Sequence, residues 1–264
     1  MLAMLRALWR YRYFVWSSIR NELVSRFLRS RLGGLWMIIH PLAQVAIYAL
    51  ILSNVLAAKL PGISNKYAYS IYLMAGLAAW TLFTDILGRC VNLFVDQGNL
   101  MKKMAFPRIT LPAIAVGSCL VNNLLLLAAM ALIFLLLGHG FGWAVLWIPP
   151  LLILLTAFSL GIGLILGVVN VFVRDVGQAV PILLQIWFWF TPIVYPATII
   201  PEPFRKWLVL NPIYPFVAAY QQVLVYSRTP DPATISIVGV AAAGLLLLAL
   251  LLFRRAAPEL VDVL

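Results

Sequence analysis

The feature that most constrains this chain is a series of long apolar runs that contain almost no charged residues. Of its 264 residues, 64% are hydrophobic and 10% are charged, whereas soluble domains have about 45–50% apolar and about 25% charged residues. Water does not reach the backbone inside a bilayer, so a spanning segment must be an α-helix or a strand of a closed barrel. The runs are too long for barrel strands, and they therefore predict an all-α polytopic membrane protein.

Six runs are long enough to cross the membrane as helices. They extend over residues 35–58, 69–95, 111–137, 144–171, 178–200 and 233–253. Before the last run, the segment from about 196 to 232 contains only short apolar pieces, which are interrupted by several prolines. Proline breaks helices, so we expect this segment to be re-entrant or interfacial, near an outer gate, and not a seventh span.

The distribution of basic residues predicts the orientation, because loops rich in Lys and Arg tend to stay in the cytoplasm. With the N-terminus inside, most basic residues fall in the N-terminal segment, in the two predicted inner loops and after the last span. Both termini are therefore predicted to be cytoplasmic. The expected layout is an interfacial helix over 1–33, a six-span domain over 34–253 and a cytoplasmic tail over 254–264.

The N-terminal segment is basic and is predicted to be amphipathic. Seven of the 19 basic residues lie in the first 31 positions, directly before a predicted span, so anionic lipid is a simpler partner than nucleic acid for a chain of net charge +11. At about 100° per residue, one face carries Arg6, Arg10 and Ser17, and the other carries Leu5, Leu8, Trp9, Val15 and Trp16. A helix lying on the inner leaflet is the interpretation that we adopt. Arg20, Arg26, Arg29 and Arg31 are the candidate residues for contact with anionic lipid.

Charged residues inside predicted spans are few. Asp85 and Arg89 are spaced i,i+4 with the acid first, so they are predicted to pair on one helix face, either as a structural salt bridge or in a substrate role. Cys90 and Cys119 have no neighbouring ligand-type residues, so neither a disulfide nor a metal site is expected. The chain has no Gly-Lys dipeptide and hence no phosphate-binding loop of the usual kind. Any ATP must be used by another polypeptide.

Several motifs occur in a characteristic order. They are LGGLWMIIHPL at 32–42, NLMKKMAFPRITLP at 99–112, VFVRDVGQ at 171–178, WFWFTPIVYP at 187–196 and LNPIYPF at 210–216. In this order, and with six predicted spans, the chain resembles the permease subunit of bacterial ATP-driven polysaccharide exporters, the type-2 ABC permeases. The resemblance covers nearly the whole chain.

The resemblance implies a transport subunit of the inner membrane and not an enzyme. It implies a homodimer with two ATP-binding subunits, which hold ATP and Mg, while this chain holds no cofactor. The implied cargo is a polyprenyl-pyrophosphate-linked glycan such as O-antigen. The implied coupling loop contains Asn99, Lys102, Lys103, Phe106, Pro107 and Arg108.

Two alternatives stay open. The first is a type-2 permease for another cargo, such as teichoic acid, capsule or a drug. The second is a membrane-embedded enzyme acting on polyprenyl-linked glycans, which is disfavoured because the eight acidic residues are scattered singly and such chemistry needs clustered acids or a metal.

The aromatic block WFWF at 187–190 lies about 20 Å beyond Arg174 at about 1.5 Å per residue, in the outer half of the bilayer. Four consecutive residues cover every face of a helix, so the usual interfacial belt of aromatics does not explain all of them. Sugar rings present C–H faces that slide over aromatic rings. Candidate residues for a translocation path are Trp187, Trp189, Phe190, Tyr195, Tyr48 and Tyr72, with lipid contact or core packing as the alternative for each.

Overall fold

The computed structural model describes residues 2–25, 35–55, 67–103, 106–257 and 259. Over these residues the chain forms α-helices with short 3-10 turns, and no strand is present among them. The helices are α1 (Leu2–Arg10), α2 (Arg12–Ser25), α3 (Trp36–Val55), α4 (Ala68–Asp96), α5 (Gly98–Lys103), α6 (Thr110–Leu136), α7 (Ile148–Phe172), α8 (Asp175–Trp189), α9 (Glu202–Arg205), α10 (Tyr214–Leu224) and α11 (Pro232–Ala256).

Within the described residues, four helices are long and apolar enough to cross a membrane: α4, α6, α7 with its preceding 3-10 turn, and α11. They correspond, within a few residues, to the predicted runs at 69–95, 111–137, 144–171 and 233–253. Helix α3 covers most of the predicted run at 35–58 and has 20 residues. Its fully described apolar stretch is Ile38–Ile47.

Of the fifth run, 178–200, only the part up to Trp189 is α-helical. Helix α8 has 15 residues and ends at Trp189, a length of about 22 Å, which is shorter than the hydrocarbon core of about 30 Å. The Thr191 hydroxyl donates to the carbonyl of Trp187 (3.0 Å), and Pro192 follows without an amide hydrogen to continue the helix. Residues 190–200 form turns instead.

Helix α4 is the centre of the fold, because it contacts α3, α6, α7, α8 and α10. Its closest neighbour is α7, which carries Gly163 and Gly167 four residues apart on the contact face. A Cβ added at Gly167 would lie 2.3 Å from the carbonyl oxygen of Cys90, and one added at Gly163 would lie 2.7 Å from the Cys90 Cβ. Small residues at this spacing let two membrane helices approach closely.

The segment between α8 and α11 returns to the core. After α9 and a 3-10 turn over Lys206–Leu210, helix α10 packs against α4 and α7. Its side chains Phe216, Val217 and Tyr220 are fully buried. The second half of this proline-rich segment is therefore part of the packed interior.

A second hydrophobic cluster joins the two ends of the described chain. Phe94 at the end of α4 stacks on Phe253 at the end of α11, with 5.4 Å between ring centroids. Met101 of α5 is buried in the same cluster, and Leu8 of α1 packs against it. We call this group of residues the inner cluster.

The N-terminal segment forms two helices, and their faces differ from the predicted ones. Leu8 packs on the inner cluster, while Trp9 and Trp16 are exposed, so the residues predicted to share one apolar face are divided. Arg12 lies over the rings of Trp9 and Tyr13, at 5.0 and 4.5 Å from their centroids. This cation–π contact explains how an arginine interrupts the predicted pattern.

Candidate functional site

The four aromatic residues at the end of α8 face two directions. Trp187 and Phe188 turn inward and pack edge-on against α4, at 5.5 and 5.6 Å from the ring centroids of Phe83 and Trp80. Trp189 and Phe190 are 61% and 70% exposed. Only two of the four rings are therefore presented at the surface of the protein.

Asn211 holds the inward pair and the end of α8 in place. Its Oδ1 accepts hydrogen bonds from the indole Nε1 of Trp187 (2.9 Å) and from the amide of Ile213 (3.2 Å). Its Nδ2 donates to the carbonyl of Phe190 (3.3 Å) and to the hydroxyl oxygen of Thr191 (2.9 Å). Each polar atom of this side chain thus links α8 and its turn to the start of α10.

The turn after α8 is held by further polar side chains of the core. Gln221 of α10 donates to the carbonyl of Pro192 (3.2 Å), and the hydroxyl of Tyr69 donates to the carbonyl of Val194 (2.6 Å). The hydroxyl of Tyr195 donates back to the carbonyl of Trp189 (2.6 Å). A backbone that has left the helix thereby keeps its carbonyl groups satisfied, as a membrane interior requires.

An ion pair fixes α2 to the membrane helices at the opposite end. The Arg89 guanidinium of α4 donates to Glu22 Oε1 (2.5 Å), and the Ser118 hydroxyl of α6 donates to Glu22 Oε2 (2.7 Å). Close packing accompanies these bonds, because a Cβ added at Gly117 would lie 2.3 Å from the Ile19 Cδ1. Helix α2 is therefore docked on protein along this side.

The loop between α4 and α6 packs against both ends of the described chain. The ring of Phe106 lies 6.0 Å from that of Phe14 in α2, and Arg108 donates a hydrogen bond from Nη1 to the carbonyl of Ala257 after α11. The side chain of Lys102 is exposed. This loop forms one surface with α2 and the end of α11, and we call that surface the inner platform.

The N-terminus of α11 is capped by Asp231, which accepts hydrogen bonds from the amide of Thr234 (3.0 Å) and from its hydroxyl (2.7 Å). Hydrogen bonds from the Thr234 hydroxyl and amide hold the pKa of the Asp231 carboxyl below its ordinary value. The cap begins the last spanning helix directly after the proline-rich segment.

Comparison with known proteins identifies the family. The profile of the family described as "ABC-2 type transporter" matches residues 13–225, which include helices α3 to α10 and nearly all of α2. This chain belongs to the ABC-2 type transporter family. The resemblance seen in the sequence motifs is thereby confirmed.

Three relatives of this ABC-2 family member align over most of their length. A Myxococcus xanthus protein named O-antigen export system permease protein RfbA is 30% identical over 88% of this chain and 87% of that protein. A Klebsiella pneumoniae protein of the same name is 27% identical over 77% of this chain and 76% of that protein. The Escherichia coli polysialic acid transport protein KpsM is 25% identical over 89% of this chain and 90% of that protein.

The candidate path aromatics are divided by the structure of this ABC-2 protein. Trp187 is half-buried and Tyr72 is buried, and both make hydrogen bonds within the protein. Trp189 and Phe190 are exposed beside the half-buried Tyr195. The side chain of Tyr48 lies outside the described residues.

The candidate coupling and lipid-contact residues are described only in part. Lys102 is exposed, and Phe106, Pro107 and Arg108 are half-buried in the inner platform. Arg20 is exposed on α2. The side chains of Asn99 and Lys103 and all of Arg26, Arg29 and Arg31 lie outside the described residues.

The predicted pairing of Asp85 with Arg89 is wrong, because the ion pair of Arg89 is made with Glu22. The long arginine side chain extends toward the surface helix, where it meets an acid near water, instead of turning to its own helix. Sequence reasoning also missed Glu22 and Asn211. One signal for Glu22 was available, since it is a lone acid among the seven arginines of the N-terminal segment.

Proposed function

We propose that this chain is the permease subunit of an ATP-driven exporter that moves a lipid-linked polysaccharide, O-antigen or a similar surface glycan, across the bacterial inner membrane. The observation that carries the proposal is its similarity, over most of the chain, to proteins named as permeases or transport proteins for two different surface polysaccharides. The membrane-spanning helices and the exposed aromatic pair at the end of α8 support it.

The proposed topology has six crossings and both termini in the cytoplasm. Helices α3 and α8 join the four long helices as crossings, and α8 is completed by the turn that Asn211 connects to α10. Residues 196–232 are the re-entrant outer gate in this arrangement. Broken helices of this kind are tolerated in membranes where the freed backbone groups are satisfied inside the protein, as the bonds of Asn211 and Gln221 illustrate.

The proposed assembly is a homodimer of this chain with two ATP-binding subunits, which bind ATP and Mg and perform all hydrolysis. This chain carries no cofactor in the proposal. The inner platform is the proposed docking surface, because it carries the exposed Lys102 and contacts α2 through Phe106 and the end of α11 through Arg108. A movement imposed on the loop reaches α2 and the end of α11 through those contacts.

The proposed path begins at the cytoplasmic leaflet, where the N-terminal arginines Arg20, Arg26, Arg29 and Arg31 attract anionic lipid and the pyrophosphate of the cargo. The sugar chain then passes between the two permeases and slides over Trp189 and Phe190. Trp187 holds these two rings outward through its contacts with Phe83 and Asn211. ATP hydrolysis in the partner subunits changes the arrangement of the permease dimer, and the sugar chain moves outward.

The proposal is tested by measuring surface glycan on cells in which the gene for this protein has been deleted. Complementation with the native chain should restore surface glycan, and the chain should co-purify with an ATP-binding subunit. Unchanged surface glycan in the deleted strain would reject the proposed function.

Substitution of the two exposed aromatic residues tests their role in export directly. Trp189→Ala combined with Phe190→Ala should reduce export at least several-fold while complex assembly persists, because both rings are exposed and pack little in the core. Trp143→Ala is the matched control, since Trp143 is 88% exposed but lies in the turn before α7. Equal export by the double variant and the control would contradict the role given to the aromatic pair.

A further inference from the structure

A polar cavity of about 360 Å³ lies between α3, α4 and α6. Each helix contributes two polar side chains that are adjacent or one turn apart, so the cavity has polar groups on three sides. These side chains are His40 and Gln44, Thr81 and Asp85, and Asn122 and Asn123. Pro41, Leu125 and Leu126 are among the residues that complete the lining.

Asn123 carries a hydrogen-bond acceptor that the protein does not use. The side chain is 5% exposed, and its Nδ2 donates to the carbonyl of Ala78 (2.9 Å). Its Oδ1 is buried and has no hydrogen-bond partner among the described residues. Buried polar atoms are rarely left unpaired, and this unsatisfied oxygen belongs to a side chain that lines the cavity.

Asp85 supplies a second acceptor in the same cavity. Its neighbour Arg89 is engaged by Glu22, and no salt bridge to Asp85 is formed within the described part of the chain. A carboxylate inside a spanning helix is costly and marks a functional position by default. It lies one helical turn before Arg89 along α4, about 6 Å at about 1.5 Å per residue, on the membrane side of the ion pair to α2.

We infer that this cavity binds one sugar residue of the exported glycan, with sugar hydroxyl groups donating to the carboxylate of Asp85 and forming hydrogen bonds with the amide side chains that line the cavity. The inference rests on the proposed function and names a contact for the cargo away from the exposed aromatic pair. The cavity volume falls at the lower end of the range of about 300–1,000 Å³ for small-molecule sites.

The side chains that line the cavity are better suited to a neutral molecule with several hydroxyl groups than to a phosphate group or a metal ion. No Lys or Arg is among the residues that line it, so the site does not suit a phosphate or pyrophosphate group. A bare divalent cation prefers several carboxylates or carbonyl oxygens in a close shell, and the lining has one carboxylate. Amide and imidazole groups can both donate to and accept from hydroxyl groups, as sugar recognition requires.

Cysteine accessibility in the assembled exporter tests the inference. Asn122→Cys is placed in a background in which Cys90 and Cys119 are replaced by Ala, and membrane vesicles are treated with a charged maleimide. Vesicles from cells that make the lipid-linked polysaccharide are compared with vesicles from cells in which its synthesis is blocked. We expect the thiol to react, and to react several-fold more slowly when the glycan is present.

Leu124→Cys is the matched control, because Leu124 lies on the same helix, is 51% exposed and does not line the cavity. Its reaction rate should not depend on the glycan. Adding Asp85→Asn to Asn122→Cys should remove most of the protection, since the amide no longer offers a charged acceptor.

Two results would overturn the inference while the proposed function stands. They are an unreactive Asn122→Cys, and a reaction rate that is equal with and without glycan in a complex that exports normally. If the native complex exports no glycan at all, the proposed function fails as well, and the export measurement on the native complex distinguishes that case.

Discussion

At the scale of single residues, the direction of each aromatic ring at the end of α8 depends on distant polar side chains. Asn211 is 24 positions after Trp187 in the sequence, yet it provides the hydrogen bond that keeps the indole inward. The block WFWF predicts that at least one ring must leave the lipid, but nothing in the motif specifies which. The ring that turns inward is determined by the position of the Asn211 side-chain amide, and this position is fixed only when α10 packs on α4.

Replacing Asn211 by Leu should lower the stability of the protein. The change leaves the Trp187 indole N–H without its partner and removes the donor to Thr191, whose side chain is buried. An unsatisfied buried polar group costs about 1–3 kcal/mol. The apparent Tm of the purified complex measures the effect.

Trp187→Phe provides the control for this prediction, because it keeps a ring against Phe83 and removes only the indole donor. The two substitutions share one hydrogen bond, so their effects should be less than additive in the double variant. Strictly additive shifts in apparent Tm would contradict the proposed role of Asn211.

The Asp231 cap should make the start of α11 sensitive to acid. Its pKa is lowered in the folded state by hydrogen bonds from Thr234, so its stabilising effect is present above the unfolded pKa of about 3.9. The effect is lost as the pH falls through the lower folded pKa. Amide exchange at Ala233 and Thr234, corrected for the intrinsic rate, should therefore accelerate at low pH.

The variant Asp231→Asn distinguishes the effect of the carboxylate charge from the effect of the N-cap hydrogen bonds. Asn is also a good N-cap residue but does not titrate, so exchange in this variant should show a flat pH profile. The same acceleration in both proteins would show that another group is responsible.

At the scale of helices, the apolar runs predict elements well where one run forms one helix. Helices α4, α6, α7 and α11 follow their runs closely because a continuous apolar helix satisfies its own backbone in lipid. The run at 178–200 forms a shorter helix, because α8 ends at Trp189, just before Pro192, and because Thr191, Asn211 and Gln221 satisfy backbone groups of the turn. A hydropathy profile does not predict where this helix ends, since Asn211 and Gln221 come from a separate segment of the chain.

The close contact between α7 and α4 predicts a large effect of a single methyl group. Gly167→Ala should destabilise the protein by about 1–3 kcal/mol, because the new Cβ would meet the backbone carbonyl of Cys90, which cannot rotate away. Gly88→Ala on α4 is the control, since its Cβ would have no neighbour within 4 Å. Yield and thermal stability in detergent should fall for the first variant and stay unchanged for the second, and equal effects would contradict this account of the helix pair.

At the scale of the whole molecule, the sequence predicts a polytopic helical membrane protein and its family, but not how the N-terminal segment is attached. Periodicity treats that segment as a helix facing lipid. The contact between Glu22 and Arg89 joins residues 67 positions apart, and it appears only once α2 lies across α4 and α6. The cavity that contains Asp85 escapes prediction for the same reason, because its polar pairs come from three helices.

Charge reversal on the inner platform tests the proposed docking surface. Lys102→Glu should weaken co-purification of the ATP-binding subunit several-fold, since Lys102 is exposed on the platform and a reversed charge at a docking surface removes its electrostatic complementarity to the partner. Lys206→Glu is the control, because Lys206 is equally exposed in the proposed outer segment. Equal loss of the subunit in both variants would assign the effect to general charge and not to this surface.

The inner cluster has a consequence for biosynthesis. It includes residues of α4, α5, α6, α7 and α11, with residues of α1 packed against them, and Arg108 reaches the carbonyl after α11. A nascent chain whose earlier helices have been inserted still lacks Ala249 and Phe253 of this cluster until α11 has been synthesised. In the proposed assembly, an ATP-binding subunit that docks on the inner platform would meet the complete surface only on chains that include α11.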